Sequence, residues 1–166
     1  MSNKKVLLTG GAGLVGKILI KSLKEKYDLS ILDQKKIDDI NSNVRNINDL
    51  DSIIPLFENI DTVIHLASVA NDPMAEIDKN LSWETSALNT LRLMNFMDKN
   101  GIKRILYASS GSVYGIKTEK KVTEKSSLEP ISLYNKVKMV TERVILSYSK
   151  SIEAFIIRPA TVCGYS

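Results

Sequence analysis

Tyr134 and Lys138, four residues apart in a chain of 166, are the pair of side chains most suited to proton chemistry. On a helix they share a face about one turn apart. A free tyrosine ionises near ~10 and is a poor base at neutral pH, whereas an adjacent ammonium favours the phenolate. Such a pair can carry a hydroxyl proton while a hydride moves at the neighbouring carbon. Amphipathic helices supply this spacing often, so a third group has to support it. Ser110 does so: it lies at the carboxyl end of a predicted strand, where the sites of parallel sheets collect, and its hydroxyl can donate to a substrate oxygen.

A second constellation lies in residues 6–16, V-L-L-T-G-G-A-G-L-V-G. Val6, Leu7 and Leu8 form an apolar run suited to a strand buried on both faces. Gly11 starts a G-x-G-x-x-G spacing and Gly10 a G-x-x-G-x-x-G spacing, both ending at Gly16. Either pattern allows a tight turn, close approach of backbone N–H groups to a pyrophosphate, and tight helix-on-strand packing. The pyrophosphate would rest on the N-terminus of a helix starting near Leu14, with Leu14, Val15, Ile18, Leu19 and Leu23 on one side. Residues 29–33 read as a second strand ending in Asp33, at the distance expected of a ribose-binding carboxylate. These features together imply a bound dinucleotide.

The remaining segments alternate between strand-like and helix-like patterns, without repeats or linkers. Residues 35–43 read as a loop or helical turn and 44–47 as a third strand. A helix capped by Asp49 or Asp51 follows, with Pro55 acceptable only in its first turn. Residues 61–67 are a fourth strand running into a loop over 68–73. Strands at 103–109 and 152–157 and helices at 80–100 and 132–149 complete the order. The expected fold is a single α/β domain over 1–166, a Rossmann-like doubly wound parallel sheet in the order 3-2-1-4-5-6 with helices on both faces. The helix over 80–100 has more apolar surface than one face holds, so Trp83, Met94, Phe96 and Met97 read as core or subunit interface. His65 reads as a structural strand-end histidine and Cys163 as a packing residue.

Composition narrows the classes further. With 43% hydrophobic and 25% charged residues the chain can bury a core, and its net charge of +4 is spread over helices and loops. A nucleic-acid partner is therefore not expected. No stretch is apolar enough to span a membrane and no signal peptide is evident, so a cytoplasmic location is expected. One histidine and one cysteine, far apart, suggest no metal site.

Five motifs occur in order: T-G-G-A-G-L-V-G (9–16), D-T-V-I-H-L-A (61–67), Y-A-S-S-G-S-V-Y-G (107–115), Y-N-K-V-K (134–138) with Glu142, and R-P-A-T-V-C-G (158–164). Together they resemble the extended short-chain dehydrogenase/reductase family, in its nucleotide-sugar epimerase/dehydratase branch. The resemblance implies a catalytic triad of Ser110, Tyr134 and Lys138, with Tyr134 as general acid/base. Lys138 would lower the tyrosine pKa and hold the nicotinamide ribose, and Ser110 would bind the reacting oxygen. Gly10, Gly13, Leu14, Val15 and Gly16 match its pyrophosphate loop and Asp33 its ribose carboxylate. Leu66, Ala67 and Ser68 match the strand end beside the cofactor. Ile47 and Asn46 fall near the adenine, with Asn46 in place of the usual aspartate. Ser86 replaces a usual asparagine, Asn89 a glycine and Cys163 a common tyrosine. Ala160 lies near the nicotinamide, and Gly111, Ser112 and Thr161 join Ser110 and Tyr134 on the substrate side.

The negative charge of Asp33 favours NAD, while Lys35 and Lys36 keep NADP as the alternative. The implied activity is that of an NAD-dependent epimerase on a nucleoside-diphosphate sugar. An NADP-dependent keto-sugar reductase or a dehydratase is second, and a non-catalytic dinucleotide-binding module is the reading from another class. Gly111 and Ser112 stand where many 4,6-dehydratases carry an acidic pair, which disfavours elimination. The family commonly dimerises through the helices that here are 80–100 and 132–149. Its members are about twice as long, so a truncated chain lacking a C-terminal substrate-binding part is expected.

Overall fold

The computed structural model describes residues 4–37 and 42–163. Six parallel strands form one sheet in the order β3-β2-β1-β4-β5-β6: β1 Lys5–Thr9, β2 Asp28–Asp33, β3 Asn43–Val44, β4 Thr62–His65, β5 Arg104–Ala108 and β6 Glu153–Ile157. This is the order expected from right-handed crossovers. Among the described residues six α-helices connect the strands: α1 Leu14–Leu23, α2 Leu50–Ile53, α3 Asp72–Ile77, α4 Lys79–Ser82, α5 Asn89–Lys99 and α6 Leu133–Ser147.

The apolar strands split their side chains between two layers, as the pleat requires. Leu7, Val63 and Ile105 pack against Leu93, Met94 and Met97 of α5 and Ile145 of α6. Val6, Leu8, Ile31 and Ile64 pack against Ile20 of α1 on the opposite face. The central strands are therefore covered on both sides, which is why they read as unbroken apolar runs rather than alternating ones.

Several expectations need correction. The buried line of α1 is Gly16 and Ile20, with Leu19 and Leu23 beside them, while Val15 and Ile18 are exposed. The third strand is two residues long, and Asn46 and Ile47 lie in the turn after it. Residues 38–41 of the expected loop, and Gly164 of the last motif, lie outside the described residues. The loop after β4 ends early because Asn71 caps α3, its side chain accepting from the Met74 N–H at 3.0 Å. Pro73 then fits the first turn of that helix. Cys163 is exposed rather than packed. Among the described residues no helix is long and apolar enough to cross a membrane.

The long helix expected over 80–100 spans α4 and α5, joined by a wide π turn at Trp83–Leu88. Within it the Asn89 N–H donates to the Glu84 carbonyl, five residues back. The Ser86 carbonyl accepts the Thr90 hydroxyl, while the Thr141 hydroxyl of α6, 3.3 Å from it, has a closer acceptor in the Val137 carbonyl at 2.8 Å. Ser86 is itself buried, and its hydroxyl accepts the Val69 N–H at 3.2 Å.

The same turn fixes the one histidine. His65 is fully buried; its Nδ1 lies 2.8 Å from the Thr9 hydroxyl and its Nε2 3.0 Å from that of Thr90. Thr9 accepts from the Ala67 N–H and Thr90 donates to Ser86, which orients the chain so that Thr9 donates to Nδ1 and Nε2–H donates to Thr90. Each group holds one proton, so the ring is neutral and structural. Burial, and secondarily the Lys138 charge, lower its pKa from 6.5 to about 3. An imidazole depressed in the folded state binds more protons once unfolded, so it stabilises above pH 6.5 and the gain is lost as pH falls toward 3. We predict that unfolding free energy falls between pH 6.5 and 5 with a slope of up to ~1.4 kcal/mol per pH unit. Denaturant titrations would measure it, and the slope should vanish in His65→Asn after allowance for its lower baseline; equal slopes would contradict the assignment.

Candidate functional site

The carboxyl ends of β1, β2, β4, β5 and β6 open on one edge of the sheet, and the segments leaving them line a cleft with two lobes of about 480 and 930 Å³. Gly10, Gly13, Leu66, Ser68 and Ala70 belong to both lobes, which are therefore continuous.

At the centre the glycine loop turns sharply. Gly10 has φ +76°, and a Cβ there would lie 2.7 Å from the Ala67 nitrogen. A Cβ on Gly16 would lie 2.5 Å from the carbonyl oxygens of both Gly10 and Gly11, so this helix can approach the loop only with glycine at that position. Helix α1 begins at Gly13 without a side-chain cap, which leaves the N–H groups of its first turn available to an anion.

The smaller lobe holds Asp33, Ile47, Leu66, Ala67 and Ser68, all expected there. The Asp33 carboxylate accepts the Ala12 N–H at 2.9 Å and the Lys35 N–H at 2.9 Å, fastening the glycine loop to the end of β2. Each oxygen keeps a lone pair for a further donor such as a ribose hydroxyl. Asn46 and Ser86 are not brought to the cleft. The Asn46 side-chain oxygen accepts from the Asn48 N–H and from Gln34, and Ser86 is held inside the π turn. Gln34, Arg45 and Thr85 line this lobe instead and were missed. Arg45 was read as part of a strand; the early end of β3 brings it to the cleft.

The larger lobe holds Leu14, Val15 and Gly16 from the loop, Ser110, Gly111 and Ser112 after β5, Tyr134 and Lys138 from α6, and Ala160 and Thr161 after β6. Asn71 and Asp72 line it as well. Their signal was the Asn-Asp-Pro sequence, which starts a helix rather than continuing a loop.

Ser110 caps a 3₁₀ turn over Gly111–Tyr114, accepting the Ser112 N–H at 3.2 Å; its hydroxyl is 2.7 Å from that of Ser112. Ser112 in turn donates to Asn135 at 2.6 Å. The Lys138 ammonium is buried and donates to the Ala108 carbonyl at 2.8 Å and the Ser68 hydroxyl at 3.0 Å. Burial lowers its pKa from 10.5 to about 8, with Glu142 pulling the other way. It lies 5.7 Å from the Tyr134 ring centre without donating to the phenol. Tyr134 itself is held above its ordinary pKa, by burial first, while Ser110 opposes and the Asp72 charge reinforces the shift. The acidified tyrosine expected from sequence is thus not found in the open cleft, because burial is the largest influence on the phenol and the Lys138 protons go to Ala108 and Ser68.

The cleft suits a dinucleotide on structural grounds. It has a side-chain-free cradle at a helix N-terminus, a carboxylate in one lobe, and a phenol, hydroxyl and ammonium in the other.

Comparison with known proteins agrees with this geometry. The sequence model of the NAD dependent epimerase/dehydratase family matches residues 6–166. A Methanocaldococcus jannaschii protein provisionally named UDP-glucose 4-epimerase is 32% identical over 96% of this chain and 56% of its own. The D-erythronate dehydrogenase of Haemophilus influenzae is 28% identical over 96% and 55%. Among solved structures, MoeE5 in complex with UDP-glucuronic acid and NAD superposes with a TM-score of 0.86 at 26% identity, over 93% of this chain and 54% of that one. The chain spans about half the length of the relatives it matches.

The glycine geometry makes a graded prediction. A Cβ on Gly13 would meet its nearest atom at 3.4 Å, ordinary contact, against 2.5 Å at Gly16. Gly16→Ala is expected to cost about 1–3 kcal/mol of stability and Gly13→Ala much less. Denaturant unfolding of the two variants checks this, and equal losses would refute the crowding at Gly16.

Proposed function

Since the chain belongs to the NAD-dependent epimerase/dehydratase family, we propose that it forms the cofactor-binding and proton-transferring part of an NAD-dependent nucleotide-sugar epimerase. The observation that carries this reading is one continuous cleft with Asp33 at one end and Ser110, Tyr134 and Lys138 at the other. NAD, when bound, supplies the hydride acceptor. The uncapped N–H groups of the first turn of α1, from Leu14 to Gly16, hold its pyrophosphate, and Asp33 accepts the adenosine ribose hydroxyls. Tyr134 takes the proton of the sugar hydroxyl, Ser110 turns its hydroxyl from Ser112 to donate to the same oxygen, and Lys138 supplies positive charge and a donor to the nicotinamide ribose. Burial keeps Tyr134 protonated in the open cleft, so proton abstraction is tied to the arrival of positive charge beside it.

A negative carboxylate at the ribose position disfavours a 2′-phosphate, which supports NAD over NADP although Lys35 and Arg45 line the same lobe. Leu88 and Leu91 on the helix run of α4–α5 and Leu146 on α6 are exposed, which supports a homodimer through these helices. The D-erythronate dehydrogenase relative favours a second reading, net oxidation of a small hydroxy acid with release of NADH.

Calorimetric titration tests the cofactor assignment. Saturable NAD binding should weaken roughly 10–100-fold in Asp33→Ala, the loss of hydrogen bonds to a charged group, and NADP should lose less. Absence of NAD binding by the wild-type chain would overturn it. For chemistry, Tyr134→Phe in the protein assayed with UDP-glucose should keep NAD affinity and lose about 10²–10⁴-fold in turnover. Unchanged turnover would remove Tyr134 from its role. Net NADH release without epimerised sugar would favour the second reading.

A further inference from the structure

Helix α6 carries a third polar group on the face of Tyr134 and Lys138. Glu142 stands one turn beyond Lys138 and two beyond Tyr134, and is 1% exposed. Both of its oxygens are occupied. Oε1 accepts Arg158 Nε at 2.9 Å and the Ser109 hydroxyl, and Oε2 accepts Arg158 Nη2 at 2.6 Å. Arg158, just past β6, also donates from Nη1 to the Tyr114 hydroxyl at 2.8 Å. The segments are stitched again one residue on, where the Gly111 N–H donates to the Pro159 carbonyl at 2.8 Å. One carboxylate thus joins the end of β5, helix α6 and the end of β6, the three segments that carry Ser110, Tyr134 with Lys138, and Ala160. Burying such an ion pair adds little net stability, because desolvation offsets the attraction. Its location points to another role.

We propose that Glu142 is a positioning residue for the candidate centre, fixing the end of β5 against α6 and supplying the negative charge that keeps the buried Lys138 an ammonium. Among the described residues Glu142 is the carboxylate that acts on Lys138, while Asp72 of α3 lines the same lobe. His65 of β4 is neutral, the Tyr107 ring of β5 lies 4.9 Å away with its phenol held un-ionised by burial, Tyr134 is protonated, and Ala108 and Ser68 are neutral acceptors. Asp72 of α3 acts on Tyr134, and Arg158 is neutralised by Glu142 itself. Glu142 is the charge that raises the Lys138 pKa against burial.

This role rests on the reading of the cleft given above, but its test reads Lys138 directly. The protein labelled at the lysine Cε carbons is titrated by NMR, with the Lys138 signal assigned by its loss in Lys138→Arg. Removing the carboxylate charge disfavours the ammonium, so Glu142→Gln should move the Lys138 midpoint downward from near 8 by about one unit, a tenfold loss of proton affinity. A second variant, Glu142→Gln with Arg158→Met, also removes the guanidinium that the single substitution would leave without its carboxylate, and should fold and move the Lys138 midpoint in the same direction. A midpoint within about 0.3 units of wild type in a folded variant overturns the proposal, since that is under ~0.4 kcal/mol of interaction. Failure of both variants to fold overturns it too, by making the pair structural. Failure of NAD to bind the wild type would sink the functional reading and leave the Lys138 shift standing, so the two are separable.

Discussion

A buried ammonium is the constraint around which this molecule is arranged. Taking a lysine charge out of water is costly unless donors and counter-charge are provided together. Lys138 obtains a backbone carbonyl from the end of β5, a hydroxyl from the segment after β4, two aromatic faces, and a carboxylate one turn along its own helix. They come from β5, from the segment after β4 and from α6 itself, so the charge is tolerated only when these three parts of the chain are in register. The neutral His65 belongs to the same arrangement, because a second positive charge there would act against Lys138.

A parallel sheet makes such convergence possible. All strands end on one edge, so residues far apart in sequence, from Gly10 to Thr161, meet in one cleft without long loops. The missing Cβ of Gly16 lets α1 lie against the carbonyls of Gly10 and Gly11, and Asp33 fastens that loop to the next strand. The two lobes of the cleft thereby share one floor.

The same architecture supports different reactions. Relatives of comparable similarity carry names as unlike as a UDP-glucose 4-epimerase and a D-erythronate dehydrogenase. What they share with this chain is its half of the fold, and function resides in the site built upon it.

Local features were legible without any structure. The glycine spacing, the i, i+4 relation of Tyr134 and Lys138, the acid ending β2 and the strand order follow from short-range geometry and from the handedness of crossovers. Even the capping of α6 by Ser132 is local, its hydroxyl accepting the Asn135 N–H. Other features depend on where chains meet. That Tyr134 is made less acidic, that Asn46 bonds Asn48 and Gln34 while Arg45 lines the cleft, that a π turn holds Ser86, and that Glu142 pairs with Arg158 and Ser109 were decided by burial and by contacts across many residues. The amino-acid sequence by itself determined which chemical groups are present and at what local spacing. Only the tertiary structure decided which are desolvated and which partner satisfies them, because burial and long-range hydrogen bonding belong to the packed chain as a whole.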